Sequence, residues 1–187
     1  FVHENVYDEF AKKLANKVSE LKVGDGFEEG VAIGPLINDT AVNKVIEHIQ
    51  DACDKGAKVL YGQLPAKGSR LFVPHVITGI NDDMKVASEE TFGPLAALFK
   101  FSTDEEVVQR ANDTEFGLPS YIYTKSLARA WNVAEELETG IVGINEGLIS
   151  TTLAPFGGVK ESGLGREGSY LGMDDYLESK YMLMGGL

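Results

Sequence analysis

The sequence predicts an α/β fold with a largely parallel sheet. Two observations carry the prediction: amphipathic helical segments alternate with short β-rich runs, and glycines or capping residues separate most of them. Strands and helices that alternate along a chain are typically joined by right-handed crossovers, which leave successive strands parallel. A length of 187 residues with 43% hydrophobic residues suffices for one substantial core or two small ones.

Two amphipathic helices are predicted first. The first follows Asn5, a good N-cap residue, and its apolar residues recur at helical spacing: Val6, Phe10, Leu14, Val18 and Leu21. A polar, glycine-rich loop, "VGDGFEEGVAIGPLIND", separates it from the second helix. The second helix should end at Gly56, and its apolar stripe consists of Val42, Val45, Ile46, Ile49 and Cys53.

Strands and further helices alternate from residue 58 onward. Three β-rich runs occupy residues 58–61, 72–77 and 95–101. Thr103 and Glu106 form a capping-box pattern for a helix that ends near Gly117.

The last third of the chain continues the alternation. A strand is predicted at 120–123 and another at 141–145. Between them, Ser126 caps a helix that carries Trp131, Ala134 and Leu137 and stops at Gly140. The terminal run "YLESKYMLM" alternates like a strand but precedes no further element, so we expect it to pair with another chain.

The charge balance and composition argue against several classes of partner. Acidic residues outnumber basic ones 29 to 17, which disfavours nucleic acid because phosphate binding depends on clustered Lys and Arg. No apolar run reaches the roughly 18 residues of a membrane span. Cys53 is the only cysteine, which fits a reducing compartment, the cytoplasm or alternatively the mitochondrial matrix. The chain opens on Phe1 rather than Met, which suggests a piece of a longer polypeptide.

Gly163, Gly165 and Gly168 spell G-x-G-x-x-G, the pattern of a dinucleotide-binding turn. In such a turn the glycines directly follow a buried strand and open a helix whose N–H groups bind the pyrophosphate. Here the preceding residues are "GGVKES", which do not form a buried strand pattern. We therefore expect a glycine-rich connection and not a cofactor-binding turn.

The remaining candidates for chemistry are isolated residues. His3, His48 and His75 lack metal-ligand spacing, so no metal site is predicted and packing or surface roles are expected. Cys53 lies on the apolar stripe of the second helix, where a thiol serves as a small hydrophobe. No G-x-S-x-G elbow, P-loop lysine or complete pair of nucleophile and base is recognisable, so no catalytic residue is assigned within the chain.

Two long motifs resemble the aldehyde dehydrogenase superfamily. "SEETFGPLAALFKF" at 88–101 matches E-E-x-F-G-P followed by a strand, and "APFGGVKESGLGREGS" at 154–169 matches P-F-G-G-x-K-x-S-G-x-G-R-E. "ANDTEFGLPSYIY" is similar to the A-N-x-x-x-x-G-L segment that joins them in the family. The resemblance implies a three-layer catalytic domain at 1–170 and a C-terminal oligomerisation strand at 171–187, hence a homodimer or homotetramer.

The resemblance also implies aldehyde oxidation with NAD or NADP. A thiolate attacks the aldehyde, a hydride leaves for the nicotinamide, and an activated water hydrolyses the thioester. In the family the nucleophilic cysteine, the general-base glutamate and the Rossmann domain all lie upstream of the position that Phe1 occupies. The 187 residues are accordingly expected to be inactive alone.

Three residues match cofactor contacts of the family. Glu90 matches the glutamate that accepts hydrogen bonds from the nicotinamide ribose hydroxyls. Phe92 matches an aromatic near the same ribose, and Leu118 an apolar contact beside the ring. Without the resemblance, Glu90 would be a solvated charge, and Phe92 and Leu118 would be packing residues.

Two further residues match substrate contacts. "NEGLIS" at 145–150 resembles the family members that oxidise succinate semialdehyde in 4-aminobutyrate breakdown, with Ser150 hydrogen-bonded to the distal carboxylate. Phe156 matches a wall of the substrate tunnel, and arginine partners for the carboxylate are expected upstream. Alternatively, Ser150 is a turn residue and Phe156 packs a loop, whereas Asn145 is expected to support the loop. Pro119 and "TTL" at 151–153 depart from the family pattern, which leaves the aldehyde chain length open.

Other functions remain open at this stage. The substrate could be another ω-carboxylate aldehyde such as glutarate semialdehyde. A non-catalytic dimerisation module is an alternative of a different class.

Overall fold

The structure, a computed structural model, describes residues 1–186. The chain forms two compact units, the first spanning Phe1–Thr103 and the second beginning at Asp104. No helix within residues 1–186 is both long and apolar enough to cross a membrane.

The first unit is built on a four-stranded sheet. Its elements, in chain order, are β1 (Val2–His3), α1 (Tyr7–Ser19), β2 (Lys22–Val23), β3 (Val31–Ile33), α2 (Asp39–Asp54), β4 (Lys58–Tyr61), β5 (His75–Ile80), α3 (Lys85–Ser88) and β6 (Leu95–Phe101). The strand order is β1-β6-β5-β4, with β1, β6 and β5 parallel and β4 antiparallel at the edge. A short parallel pair, β2 and β3, lies apart from this sheet.

Helices cover both faces of the first unit's sheet. Val76 and Leu98 pack against Tyr7 and Ala11 of α1. The next residues along the same strands, including Ile77, belong to a cluster with α2. Because successive side chains of a strand point to opposite faces, α1 and α2 lie on opposite sides of the sheet.

The second unit contains shorter elements. They are α4 (Asp104–Asn112), β7 (Phe116–Gly117), β8 (Pro119–Ile122), α5 (Leu127–Glu136), β9 (Ile141–Ile144) and β10 (Val159–Lys160), followed by a 3₁₀ turn at Leu171–Tyr176. Strands β8 and β9 are parallel, and β7 and β10 are antiparallel. Ser126 caps α5 as predicted, because its hydroxyl accepts a hydrogen bond from the Arg129 amide at 3.2 Å.

The predicted mixed α/β fold with a parallel-rich sheet is confirmed. The strands predicted at 58–61 and 95–101 coincide with β4 and β6. The second helix begins one residue after Asn38, whose side chain accepts a hydrogen bond from the Ala41 amide at 2.8 Å, and Gly56 follows it at φ +100°.

The start predicted for the first helix is wrong, and its predicted apolar face is only partly confirmed, because Leu14 and Val18 pack against the core whereas the other three residues do not. Residues Val2–His3 form β1, and the His3 ring accepts a hydrogen bond from the Asn5 amide, so α1 starts only at Tyr7. Tyr7, Ala11 and Ala15 are buried, whereas Val6, Phe10 and Leu21 are exposed. The buried residues follow Val6, Phe10 and Leu14 by one position each, because the small side chains of Ala11 and Ala15 pack against the sheet.

Three further predictions differ from the structure. The strand predicted at 72–77 is β5 at His75–Ile80, because Pro74 has no N–H for a ladder and Phe72 instead packs against α2. Trp131 is 63% exposed, and Ala130 and Val133 form the buried face of α5. The predicted surface loop includes the β2–β3 pair.

The terminal run forms no strand in the part of the chain that the structure describes. Residues 177–186 are without helix or strand. The predicted partner of this run is a second chain, so the oligomerisation strand stays a prediction.

Candidate cofactor and substrate sites

One face of α2 holds the segment at residues 85–93. Near the start of the segment, the Lys85 amide donates a hydrogen bond to Asp51 Oδ2 at 2.8 Å, and the Lys85 ammonium pairs with Glu47. Hydrogen bonding to Lys85 holds the pKa of Glu47 below its ordinary value. Asp51, Glu47 and the residues described next recur at helical spacing, so they face the segment together.

His48 joins α2 to the middle of the 85–93 segment. Its ring is fully buried, with Nδ1 2.9 Å from Thr91 Oγ1 and Nε2 3.2 Å from Glu89 Oε2. An ionised carboxylate only accepts hydrogen bonds, so Nε2 donates to Glu89. In the neutral ring, Nδ1 then accepts from the Thr91 hydroxyl. Both nitrogens of this buried imidazole are therefore satisfied.

The far end of the segment is held by two other residues of α2. Lys44 Nζ donates a hydrogen bond to the backbone carbonyl of Glu90 at 2.6 Å. At Gly93, an added Cβ would collide with a methyl group of Val45, so the close approach of segment and helix requires glycine.

Glu90 and Phe92 project from this anchored backbone into solvent. Glu90 is exposed, and its carboxylate has no hydrogen-bond partner within residues 1–186. Phe92 is 78% exposed and has φ +48°, a left-handed conformation that is costly for a bulky residue. Its exposure excludes a core role for Phe92 within the first unit. A carboxylate that accepts from two hydroxyls, beside an exposed aromatic ring, fits the ribose end of a nicotinamide cofactor chemically.

The loop at residues 145–150 is anchored by its first two residues. Asn145, at φ +55°, accepts a hydrogen bond from the Thr124 amide and donates one to the Thr124 carbonyl, both at 2.9 Å. Glu146 Oε1 accepts from the amides of Gly147 and Leu148 at 2.8 and 2.9 Å. These amide hydrogen bonds lower the pKa of Glu146. Asn145 therefore supports the loop, as its position at the end of β9 predicted.

Ser150 and Phe156 lie together in one pocket of about 370 Å³. The pocket is also lined by Pro119, Tyr121, Gly147, Leu148 and Ile149. Apart from the hydroxyls of Ser150 and Tyr121, the lining side chains are apolar, and no cation is among them. Such a pocket suits a short aliphatic chain with a polar group at one end.

Phe156 also lines a second cavity, of about 540 Å³, which contains Leu118. Leu118 is half-buried and thus available to a ligand in that cavity. Within the second unit, Leu118 and Phe156 therefore line one cavity, and Phe156 and Ser150 line the other. The structure groups Glu90 with Phe92 within the first unit.

The G-x-G-x-x-G segment forms a folded connection. Phe156 and Glu167 exchange two backbone hydrogen bonds, at 2.8 and 2.7 Å, which close the chain between them into a loop. Gly163, Gly165 and Gly168 all have positive φ. A short antiparallel strand precedes these glycines and a 3₁₀ turn follows, which is not the strand–turn–helix arrangement that binds a pyrophosphate.

Several site residues were missed by the sequence reasoning. Pro119 and Tyr121 line the Ser150 pocket, and their i, i+2 spacing on β8 was a usable signal. The role of His48 was less visible, because a histidine on an apolar helical stripe is typically a packing residue. Its ring is indeed buried, as is that of His75, whose pKa burial lowers. Cys53, on α2, packs against the core cluster of that helix, as expected.

The chain matches the model of the aldehyde dehydrogenase family over residues 1–182 and belongs to that family. It is 54% identical over 187 residues to a succinate semialdehyde dehydrogenase of Acinetobacter baylyi, and 56% identical over 182 residues to a glutarate-semialdehyde dehydrogenase of Pseudomonas putida. These alignments cover 100% and 97% of this chain but only 39% and 38% of the relatives.

A solved structure shows the same fold. The crystal structure of succinate-semialdehyde dehydrogenase from Burkholderia pseudomallei matches with a TM-score of 0.91 at 61% sequence identity. The match covers 94% of this chain and 37% of that one. The chain thus spans less than two-fifths of the length of these proteins.

Proposed function

We propose that the pocket with Ser150 and Phe156 is the substrate pocket of a succinate-semialdehyde dehydrogenase that uses NAD or NADP. We propose further that Glu90 and Phe92 form part of its nicotinamide site. The observation that carries the proposal is one pocket lined by Ser150, Phe156 and mostly apolar neighbours. Identity above 50% to dehydrogenases of ω-carboxylate aldehydes supports it.

The pocket acts by holding the methylene chain and the distal carboxylate of the aldehyde. Phe156 and Ile149, both partly buried, contact the methylene chain, and the Ser150 hydroxyl donates a hydrogen bond to the distal carboxylate. A hydroxyl cannot neutralise that charge, and no residue of this pocket is cationic. Arginine from elsewhere in the complete polypeptide is therefore expected to complete the carboxylate site.

The exposed carboxylate of Glu90 and the ring of Phe92 would orient the nicotinamide ribose, with Leu118 as an apolar contact beside the nicotinamide. Bound NAD or NADP supplies the hydride acceptor. Glu90→Gln in the complete enzyme should weaken cofactor binding and slow hydride transfer while the KM for the aldehyde stays constant. A change confined to the aldehyde KM would contradict the assignment.

Ser150→Ala in the complete enzyme tests the substrate assignment. Loss of a hydrogen bond to a charged group should lower kcat/KM for succinate semialdehyde by about 1.5–3 kcal/mol of transition-state stabilisation, or roughly 10- to 150-fold. An aldehyde of similar length without the carboxylate serves as the control and should be unaffected. Equal losses for both aldehydes would refute the role of Ser150.

Glutarate semialdehyde is a second candidate substrate, favoured by the 56% identity to the Pseudomonas putida enzyme. It has one methylene more than succinate semialdehyde, and a methylene in an apolar pocket changes transition-state binding by about 1–3 kcal/mol. Steady-state kinetics with both aldehydes would rank them by kcat/KM.

The C-terminal residues 171–187 are proposed to join subunits, with residues 1–170 belonging to the catalytic domain. Tyr176, Leu177, Tyr181 and Leu183 are exposed in the single chain, and residues 177–186 contribute to no sheet there. An apolar, extended run of this kind can add to a sheet of a second copy. Removal of residues 175–187 should reduce the mass measured by light scattering, and an unchanged mass would count against the proposal.

A further inference from the structure

The residues between α3 and β6 owe their position to side-chain contacts with α2. Helix α3 ends at Ser88 and β6 starts at Leu95, so residues 89–94 lie in no helix or strand of the structure. Backbone hydrogen bonds hold the two ends of this stretch: the Glu89 amide donates to the Lys85 carbonyl, and the Pro94 carbonyl accepts from the His75 amide, both at 2.8 Å. The side chains of α2 hold the residues between these ends. The direct contacts of α2 with residues 89–93 come from Lys44, Val45 and His48.

His48 contacts the two residues that flank Glu90. Glu89 and Thr91 both turn toward the imidazole, at 3.2 and 2.9 Å. Side chains alternate in direction along an extended backbone, so Glu90 is directed away from the helix. The buried ring, together with Lys44 at the Glu90 carbonyl, thus holds the Glu90 backbone and favours the side on which its carboxylate emerges.

The anchor itself is rigid. His48 is 0% exposed, and its neighbours Val45 and Ile49 on α2 are buried in a core cluster with Phe72. A ring held in this way has a single orientation, and its two nitrogens are 2.9 and 3.2 Å from two different side chains of the segment.

We propose that His48 is a positioning residue for the cofactor: through its hydrogen bonds to Glu89 and Thr91 it orients the Glu90 carboxylate and the Phe92 ring toward the nicotinamide ribose. This inference rests on the proposed cofactor role of Glu90 and Phe92. His48 itself touches neither substrate nor cofactor. Its loss should affect cofactor binding and leave aldehyde binding unchanged.

The test uses Thr91, because its hydroxyl can be removed without a change of shape. Thr91→Val in the complete enzyme deletes the hydrogen bond to Nδ1, and Thr91→Ser retains it. Loss of one hydrogen bond in the anchor should raise the Kd for NAD or NADP, measured by calorimetry, about 3- to 10-fold. Thr91→Ser should keep the affinity of the parent enzyme, and the KM for the aldehyde should be constant in both variants.

Hydrogen exchange of the peptide that contains residues 89–93 gives a readout that needs no cofactor. Exchange should accelerate in Thr91→Val and remain slow in Thr91→Ser. Glu89→Gln, which removes the charged acceptor of Nε2–H, should act in the same direction as Thr91→Val.

The outcomes separate this inference from the proposed function. If Glu90→Gln weakens cofactor binding but Thr91→Val changes neither affinity nor exchange, the positioning role of His48 is overturned. If Thr91→Val accelerates exchange while both it and Glu90→Gln leave cofactor affinity unchanged, the cofactor role of Glu90 fails, and the inference fails with it. Equal effects of Thr91→Val and Thr91→Ser would also overturn the inference, since the hydroxyl would then be irrelevant.

Discussion

Asn145→Ala should loosen the loop that presents Ser150. The substitution removes two hydrogen bonds to the Thr124 backbone, both 2.9 Å long. At about 0.5–1 kcal/mol for each bond, the loop loses roughly 1–2 kcal/mol. Alanine at φ +55° adds about 1 kcal/mol, because asparagine tolerates the left-handed region better than other residues with a Cβ. The total is about 2–3 kcal/mol of local stability.

Hydrogen exchange at the amide of residue 145 measures this loss. That amide donates to the Ile122 carbonyl at 2.8 Å, a bond that Asn145→Ala leaves in place, so its protection reports the stability of the loop and not the deleted contact. A loss of 2–3 kcal/mol corresponds to roughly 30- to 150-fold faster exchange. The KM for succinate semialdehyde should rise in parallel, whereas that for an aldehyde without a carboxylate should not.

Asn145→Gly is the matched control. It removes the same two hydrogen bonds but relieves the left-handed backbone, so its exchange should lie between those of the parent enzyme and Asn145→Ala. Unchanged protection in Asn145→Ala would show that the loop is held by other contacts, and the reasoning from Asn145 to Ser150 would fail.

Three further predictions concern the same sites. The hydrogen bonds from the loop amides lower the pKa of Glu146, so they stabilise the loop fully above the ordinary glutamate pKa of 4.5. This stabilisation is lost as the pH falls through the lowered pKa. Amide protection factors of the loop, corrected for intrinsic exchange, should fall over that pH range in the parent but not in Glu146→Gln. Gly143→Ala should lower the free energy of unfolding, measured with urea on the complete protein, by about 1–3 kcal/mol. The added Cβ would lie 2.7 Å from the Glu146 carbonyl oxygen and 2.8 Å from Tyr121 Cδ1. An unchanged unfolding free energy would mean that the strand moves aside. Phe92→Gly should leave the unfolding free energy within about 1 kcal/mol of the parent, because it removes an exposed ring and relieves a left-handed backbone. Calorimetry should show weaker cofactor binding. Unchanged cofactor affinity would contradict the role of the ring.

Local patterns were reliable where one short segment determines its own structure. The cap at Ser126 and the terminating Gly56 lie where their residue types predicted. Strands β4 and β6 match the apolar runs exactly in their bounds. These features depend on hydrogen bonds and backbone conformations within a few residues, which the sequence displays directly.

Local patterns failed where burial depends on a partner that is distant in the chain. The apolar residues Phe10 and Trp131 are exposed, and small alanines contact the neighbouring elements instead, because close helix packing favours small side chains. The strand predicted at 72–77 lies at His75–Ile80, because Pro74 has no N–H for a ladder and Phe72 packs against α2.

The alternation of helical and β-rich segments predicts the α/β class, and two long motifs indicate the family. The family resemblance also gives the candidate site residues Glu90, Phe92, Leu118, Ser150 and Phe156. Only the tertiary structure placed Ser150 and Phe156 in one pocket with Tyr121, and only it joined His48 to the residues that flank Glu90. The physical reason is that a motif records which side chains are present, whereas their chemistry depends on distances. His48 and Thr91 are 43 residues apart in sequence and 2.9 Å apart in space, and no local pattern encodes that contact.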